Sequence, residues 1–374
     1  MNSIKKYLFV CLLIACLVPA IQKHHPFINS LGSKGWFPVS EIPTFSWKTW
    51  FSGEFQSKLD PALELNIGLH PAFVRVNNQI NYSLFNFATA KNVFVGKDGY
   101  LFEDAYINSY LGVNHPDSNA VKLKIAKAEF VHRELEKRGK HLLIILAPGK
   151  ASFYPEYIPY QYFPEKKKVS YYDLYSKHLK NSNLNYIDYN GYFLKMKEKA
   201  PHPLYPKQGT HWSIYGATLV TDSLLKYIKH NFNYKIPQIE IKKIEQPDDW
   251  RDSDYDIGAG MNLMFPMKHD KLAYPQIEYK YDTNYYLPSV IAVGDSYYWT
   301  LTGLGLNTKA FKESEFWYYN KIAYGVGEWK IDKSKTATEI LKKDLIIIIQ
   351  TEAYYHDLGM GFIECAYEQL KNKQ

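Results

Sequence analysis

The apolar run Ser289-Val290-Ile291-Ala292-Val293 ends in Gly294-Asp295-Ser296-Tyr297. A buried strand that stops in such a turn exposes a hydroxyl at the carboxyl edge of a sheet. Gly294 lets the backbone bend, and the Ser296 amide stays free to donate to an oxyanion. This is the form of a nucleophile loop for acyl transfer, with Asp295 placed to brace the loop through backbone amides. Gly, Asp and Ser are all common in turns, so the tripeptide alone carries little weight. A second segment, Gly209-Thr210-His211-Trp212-Ser213, precedes a helical pattern. A histidine on that rim is positioned to act as general base toward a serine hydroxyl. Each segment alone reads as an ordinary polar loop, and the pair points to Ser/His chemistry.

The elements that must hold these loops alternate between helix and strand. Residues 142–146, 289–293 and 345–349 are continuous apolar runs, the mark of strands buried on both faces of a parallel sheet. Residues 186–188 form a further short strand. Between them, residues 117–138 carry Val121, Ile125, Ala128, Val131 and Leu135 at helical spacing and stop at Gly139. Helices are also expected over 171–179, over 213–228 with Ser213 as N-cap, and over 362–371. Residues 93–102 read as a hairpin turning at Asp98-Gly99. The pattern from residue 60 to 84 suggests a helical arm, and residues 231–285 an irregular insertion. The fold class is therefore α/β, an open sheet covered by helices with its site at the carboxyl ends of the strands.

Lys5 and Lys6 precede an apolar stretch over residues 7–21, which has the layout of an export signal. No small-x-small cleavage site follows, and the leading reading is an uncleaved signal anchor over residues 1–25, although the stretch is shorter than the roughly 20 residues of a membrane span. A membrane-proximal linker over 26–59 then leads to a domain over 60–374. Leu13-Ile14-Ala15-Cys16 also resembles a lipobox, so a lipoprotein modified on Cys16 and a cleaved export signal are the alternatives. All three place the domain on the extracytoplasmic side. Cys365 is the only cysteine beyond the apolar stretch, which excludes a disulfide within the domain. The net charge of +7 comes from scattered lysines with no basic stripe, which argues against a nucleic-acid partner. The 33 tyrosines and 8 tryptophans suit wet, concave surfaces such as sugar-binding clefts, or a tyrosine-rich core. Asp248, Asp249, Asp252, Asp254 and Asp256 lack the Gly and terminal Glu of a calcium loop and read as a solvated segment. No cofactor or metal motif is evident.

Taken in order, Gly96-Lys97-Asp98-Gly99-Tyr100-Leu101-Phe102, the stretch Leu146-Ala147-Pro148-Gly149-Lys150-Ala151-Ser152-Phe153-Tyr154-Pro155-Glu156, Gly209-Thr210-His211-Trp212, Gly294-Asp295-Ser296, Gln350-Thr351-Glu352-Ala353 and Gly359-Met360-Gly361-Phe362 resemble the SGNH-hydrolase-like domain of the AlgX/AlgJ-type alginate O-acetyltransferase proteins. The resemblance covers roughly residues 60–374 and includes the permuted order of that family, histidine motif before serine motif. It implies Ser296 as acyl-accepting nucleophile and His211 as its base, in an O-acetyltransferase acting on an exported or cell-surface polysaccharide. It further implies a multispanning membrane acyltransferase partner that delivers the acetyl donor. A carbohydrate esterase on the same fold and a non-catalytic glycan-binding scaffold are the alternatives.

The family's histidine motif carries an acid two residues ahead of the histidine, where this chain has Gly209. The acid fixes the imidazole tautomer, and changing it in serine proteases costs on the order of 10⁴ in turnover. Asp188, at a strand end before the His loop, and Glu352, at the end of the 345–349 strand, are the candidate substitutes. The remaining possibilities are a slower dyad and a protein that is no longer a catalyst. Lys150 follows a strand end and either fixes its loop, the favoured reading, or reaches an anionic substrate; Trp212 and Tyr297 flank the motifs, and all three are candidate substrate contacts.

Overall fold

The computed structural model describes residues 2–27, 40–162 and 167–372. Residues 28–39 of the expected linker lie outside the described residues. Two compact units emerge, one of residues 1–91 with 257–268, the other of residues 92–256 with 269–374. The boundary falls at residue 92, so the arm over 60–84 clusters with the N-terminal unit.

In the first unit the helix Asn2–His24 contains a segment, Ser3–His24, long and apolar enough to cross a membrane, with a mean hydropathy of 2.1. A signal sequence has the same character. Cys11 and Cys16 are exposed on this helix. The rest of the expected linker is partly ordered, with the helix Trp47–Phe51 capped by Ser46. The arm is two helices, Glu54–Asn66 and His70–Phe85. The second holds the returning segment through its side chains. The Arg75 guanidinium donates to the Leu263 carbonyl at 3.0 and 3.1 Å, and Asn78 Nδ2 to the Met261 carbonyl at 2.8 Å.

The second unit contains β1 (Val93–Val95), β2 (Leu101–Glu103), β3 (His141–Ala147), β4 (Asn185–Asp188), β5 (Gln238–Glu245), β6 (Tyr274–Lys280), β7 (Val290–Gly294), β8 (Ser314–Tyr318), β9 (Ile322–Gly325), β10 (Gly327–Lys330) and β11 (Leu345–Thr351). β1 and β2 form the expected hairpin, and Asp98 (φ 54°) and Gly99 (φ 77°) supply its left-handed turn. The main sheet has the order β10-β9-β8-β7-β11-β3-β4. Its five strands from β8 to β4 are parallel, whereas β9 and β10 add to the β8 edge antiparallel. That edge meander is not evident in the sequence. The insertion is less irregular than expected, because β5 and β6 pair as a two-stranded ribbon.

Alternation along the central strands divides the core between the two faces of the sheet. Leu143, Ile145, Val290, Ala292, Leu345, Ile347 and Ile349 face the helices Ile214–Asn231 and Tyr297–Gly303. Leu142, Ile144, Leu146, Ile291, Val293, Ile346 and Ile348 face the helices Ser118–Glu136, Tyr171–Lys180 and Phe362–Lys371. Each fully buried aliphatic side chain contributes about 1.5–3 kcal/mol. The two covered faces leave the strand ends as the open edge, and there Gly149, Asp188, Ser296 and Glu352 follow or end their strands.

Between β7 and β11 the strands meet with no room for a side chain at Gly294, where a Cβ would lie 2.2 Å from the Ile349 carbonyl oxygen. Gly294→Ala must therefore push apart the two central strands, and overpacking of this kind costs about 1–3 kcal/mol. The expected outcome is a melting temperature lower by roughly 5–10 °C, read by circular dichroism. An unchanged midpoint contradicts the close packing.

Candidate active site

The structure brings Ser296 and His211 together. Ser296 stands at the N-cap position of the helix Tyr297–Gly303, two residues after the end of β7, without a side-chain capping bond. His211 lies two residues before Ser213, whose hydroxyl accepts from the Gly216 amide at 3.0 Å and starts the helix Ile214–Asn231 as expected. His211 Nε2 is 2.9 Å from Ser296 Oγ. The third group is Asp256, whose Oδ2 is 2.8 Å from His211 Nδ1. With Nδ1–H donating to the carboxylate, Nε2 carries the lone pair that faces the serine.

Asp256 belongs to the acidic stretch that the sequence suggests is solvated. Asp248, Asp249 and Asp252 are exposed, but Asp254 is buried and Asp256 is half-buried. The reason lies at Gly209. A Cβ there would lie 2.7 Å from the Ser253 carbonyl oxygen and 2.9 Å from that of Asp254. Backbone from the insertion occupies the space in which an acid at 209 would need to grow, and it carries Asp256 in with it. Asp256 Oδ1 also accepts from the Thr210 amide at 2.8 Å, so one carboxylate holds both the His loop and the imidazole.

Neither expected substitute acid serves His211. Asp188 caps the helix Tyr189–Met196, accepting from the Gly191 amide and the Tyr172 hydroxyl, each at 2.9 Å. Glu352 accepts from the Gly149 amide at 3.0 Å and from Ser152 Oγ and Asn190 Nδ2. Burial pushes its carboxyl up to about 7. It ties the ends of β3 and β11 to each other. Asp295 braces the nucleophile loop, with Oδ1 accepting from the Tyr297 amide at 3.1 Å and Oδ2 from the Thr351 amide and hydroxyl at 2.7 and 2.8 Å.

The three candidate substrate contacts are all inside the protein, and Lys150 takes the loop-fixing role instead. Lys150 is 2% exposed, and its ammonium donates to the carbonyls of Lys207 and Gly209 at 2.7 and 2.8 Å. Burial lowers its pKa to about 7 against the pull of Asp256, Asp270 and Glu103. It therefore pins the backbone that leads into His211. Trp212 is fully buried and donates from Nε1 to Thr300 Oγ1. Tyr297 is also fully buried, and its hydroxyl donates to the Thr210 carbonyl at 2.7 Å. Both residues join the His loop to the Ser296 helix. The β1–β2 hairpin adds two more ties, Leu101 N to the Lys207 carbonyl at 2.8 Å and Thr210 Oγ1 to Glu103 Oε2 at 2.7 Å.

Burial lowers the pKa of His211, but the hydrogen bond and charge of Asp256, with smaller contributions from Asp295 and Glu103, outweigh it and hold the imidazole above its ordinary range. A general base must be neutral, so activity is expected to fall as pH drops through that raised value. Asp256→Asn removes the largest raising contribution, and should shift the acidic limb of the pH–rate profile to lower pH while reducing turnover on the order of 10⁴-fold. Asp188→Asn should stay within a few-fold of the native rate. Equal losses in both variants contradict the assignment of Asp256. Restoring an acid by Gly209→Asp is expected to reduce activity, because the new side chain meets the 253–254 backbone. A faster enzyme in the same assay overturns that account of the loop.

Residues 93–251 match the family model described as SGNH hydrolase-like domain, acetyltransferase AlgX. That range includes His211 and ends ahead of Asp256 and Ser296. A curated relative, the probable alginate O-acetylase AlgJ of Pseudomonas aeruginosa, is 26% identical over 211 residues, 55% of this chain. The chain spans about half, 51%, of the length of that relative. Among solved structures, the O-acetyltransferase domain of Pseudomonas putida AlgJ aligns at 17% identity with a TM-score of 0.45, covering 76% of this chain and 99% of that one. Pseudomonas aeruginosa AlgX aligns at 16% identity with a TM-score of 0.43, covering 73% and 67%. Over the stretch matched by the family model, the chain is similar to the SGNH hydrolase-like proteins of the AlgX/AlgJ type.

Proposed function

We propose that the chain is an O-acyltransferase that passes an acetyl group through Ser296 to a hydroxyl of an exported or cell-surface polysaccharide. The observation that carries this reading is the bridging imidazole, 2.9 Å from Ser296 Oγ on one nitrogen and 2.8 Å from Asp256 on the other. His211 takes the proton of Ser296 Oγ as the oxygen attacks the carbonyl carbon of the acetyl donor. The resulting oxyanion meets the Ser296 amide, which stands at a helix start where amides have no intrahelical acceptor. Collapse of the intermediate returns the proton from His211 to the leaving group and leaves an acetyl ester on Ser296. An acceptor hydroxyl then gives its proton to His211, attacks that ester and departs as the acetylated sugar, while Ser296 regains its proton.

The name of the curated relative, an alginate O-acetylase, supports an acetyl group as cargo and a polysaccharide as acceptor. The apolar helix Asn2–His24 supports an N-terminal membrane anchor with the catalytic domain on the extracytoplasmic side. In that location the acetyl group must cross the membrane, and a multispanning acyltransferase is the partner that would supply it.

Incubation of the full-length protein with an acetyl-ester donor should add the mass of one acetyl group to the native chain, mapped to the peptide containing Ser296, and none to Ser296→Ala. With an oligosaccharide present, acetylated sugar is the expected product. Release of free acetate alone makes the protein an esterase, and no adduct under either condition leaves a binding scaffold.

A further inference from the structure

Beside the nucleophile loop, aromatic rings continue outward across the edge strands without a break. Trp299 stands three residues after Ser296 on the same helix, its amide donating to the Ser296 carbonyl at 3.1 Å. Its ring lies 5.9 Å from Tyr318 and 4.9 Å from Tyr324 on β8 and β9. Tyr318 is 4.5 Å from Tyr319, which is 5.3 Å from Tyr354, their hydroxyls 3.1 Å apart. The Tyr319 amide donates to the Gly294 carbonyl at 2.9 Å, so the row is tied to the backbone on both sides of Asp295. Tyr319 and its successor Asn320 both have φ of 50°. Non-glycine residues hold that conformation at a cost, and the turn directs Tyr319 onto Tyr354 at the rim of the site.

These rings lie at the margin of the core, with Tyr318, Tyr324 and Tyr354 packed against it. Trp299 is 38% exposed, and the four tyrosines are half-buried. From Trp299 and Tyr324 a groove of about 670 Å³ continues along β8 to Trp329, itself 42% exposed. Its charged lining residues are Lys312 and Lys343 against Glu313 and Glu315, two positive and two negative, for a formal sum of zero. Lys343 is within 2.8 Å of Glu315 and 4.0 Å of Glu313. Ser314, Asn307, Thr302 and Thr308 supply neutral donors and acceptors along the same wall. Flat apolar faces with hydroxyl tips, among neutral polar groups, match a sugar ring, with its C–H face and peripheral hydroxyls. Lys343 takes both glutamates and leaves Lys312, among the described residues, as the one lining cation outside these ion pairs, whereas a polyanion would favour an excess of cations over carboxylates along the groove.

We propose that the aromatic row Trp299, Tyr318, Tyr319, Tyr324 and Tyr354, with the groove that continues from it, is the track for the acceptor glycan, and that this glycan is uncharged. The proposal rests on the reading of Ser296 as an acyl-transfer centre, since it takes the row's approach to that loop as the place where an acceptor hydroxyl arrives. It departs from the uronate polymer in the name of the curated relative.

The test is equilibrium binding to the full-length Ser296→Ala protein, on which loss of catalysis has no bearing. The probes are hexasaccharides of cellulose, acetylated chitin and mannan, with a mannuronate hexamer as the charged comparison at physiological ionic strength. At least one neutral probe should bind, the mannuronate at least about tenfold more weakly, and added Trp299→Ala or Tyr324→Ala should weaken neutral binding about tenfold. Trp299→Phe should retain most of it. Trp329→Ala, on the exposed edge, gives a second reading if a ring nearer the loop is needed for folding, which a melting curve shows. Failure of every neutral probe to bind, tighter binding of mannuronate, or affinity indifferent to all the ring substitutions overturns the proposal. Ring-dependent binding in a protein whose native form never acquires an acetyl group instead removes the acyl-transfer reading and leaves a glycan-binding surface.

Discussion

An imidazole takes a serine proton efficiently when something fixes its other nitrogen, and here that constraint is met from 45 residues away along the chain by Asp256. The requirement explains much of what surrounds the site. The glycine at 209 makes room for the backbone of 253–254, and that backbone sets where the carboxylate falls. Thr210 binds the second oxygen of the same carboxylate, so the loop carrying His211 and the group orienting it move as one piece. The space that an acid two residues ahead of His211 would need is closed by that backbone.

The parallel sheet supplies the rigid side of this arrangement. Ser296 is fixed from below by Asp295, which binds the end of β11 through Thr351, and from the side by Tyr297, which reaches across to the Thr210 carbonyl. Glu352 and Lys150 do comparable work around it, one joining the ends of β3 and β11, the other closing on the 207 and 209 carbonyls. A site on strand ends needs such cross-ties, because loops that merely follow strands are free to move on the scale that sets proton-transfer geometry.

What the sequence made legible follows from how local each signal is. The buried strands β3, β7 and β11 are continuous apolar runs, and Ser213 announces its helix by type and position, so the frame and the two motif loops were readable. Asp256 was not, because nothing in a polar segment without period says which of five aspartates folds inward. The clue that was present is the pairing of a missing side chain at Gly209 with an excess of carboxylates in one insertion. The edge meander β8–β10 escaped because its strands are only four or five residues long and rich in aromatics that also suit loops. Trp212 and Tyr297 suggest contacts because adjacency to a motif is visible in a sequence and burial is not, whereas the loop-fixing reading of Lys150 agrees with its bonds to the 207 and 209 carbonyls.

The electrostatics of the site follow from which groups retain water. Burial pushes the carboxyls of Glu352 and Asp254 up to about 7, and the ammonium of Lys150 down to about 7. Glu352 and Lys150, held near neutrality, hydrogen-bond to the frame without the full desolvation cost of a charge. Asp256 differs, because about a third of its side chain (32%) remains exposed beside an imidazole that is 14% exposed. Its carboxylate stands 2.8 Å from the His211 nitrogen on the far side of the ring from Ser296. The interior supplies position and the half-exposed aspartate supplies charge. On the proposed function, that division makes the insertion carrying Asp256, instead of the strand that leads into Ser296, the part of the chain that decides whether the serine is activated.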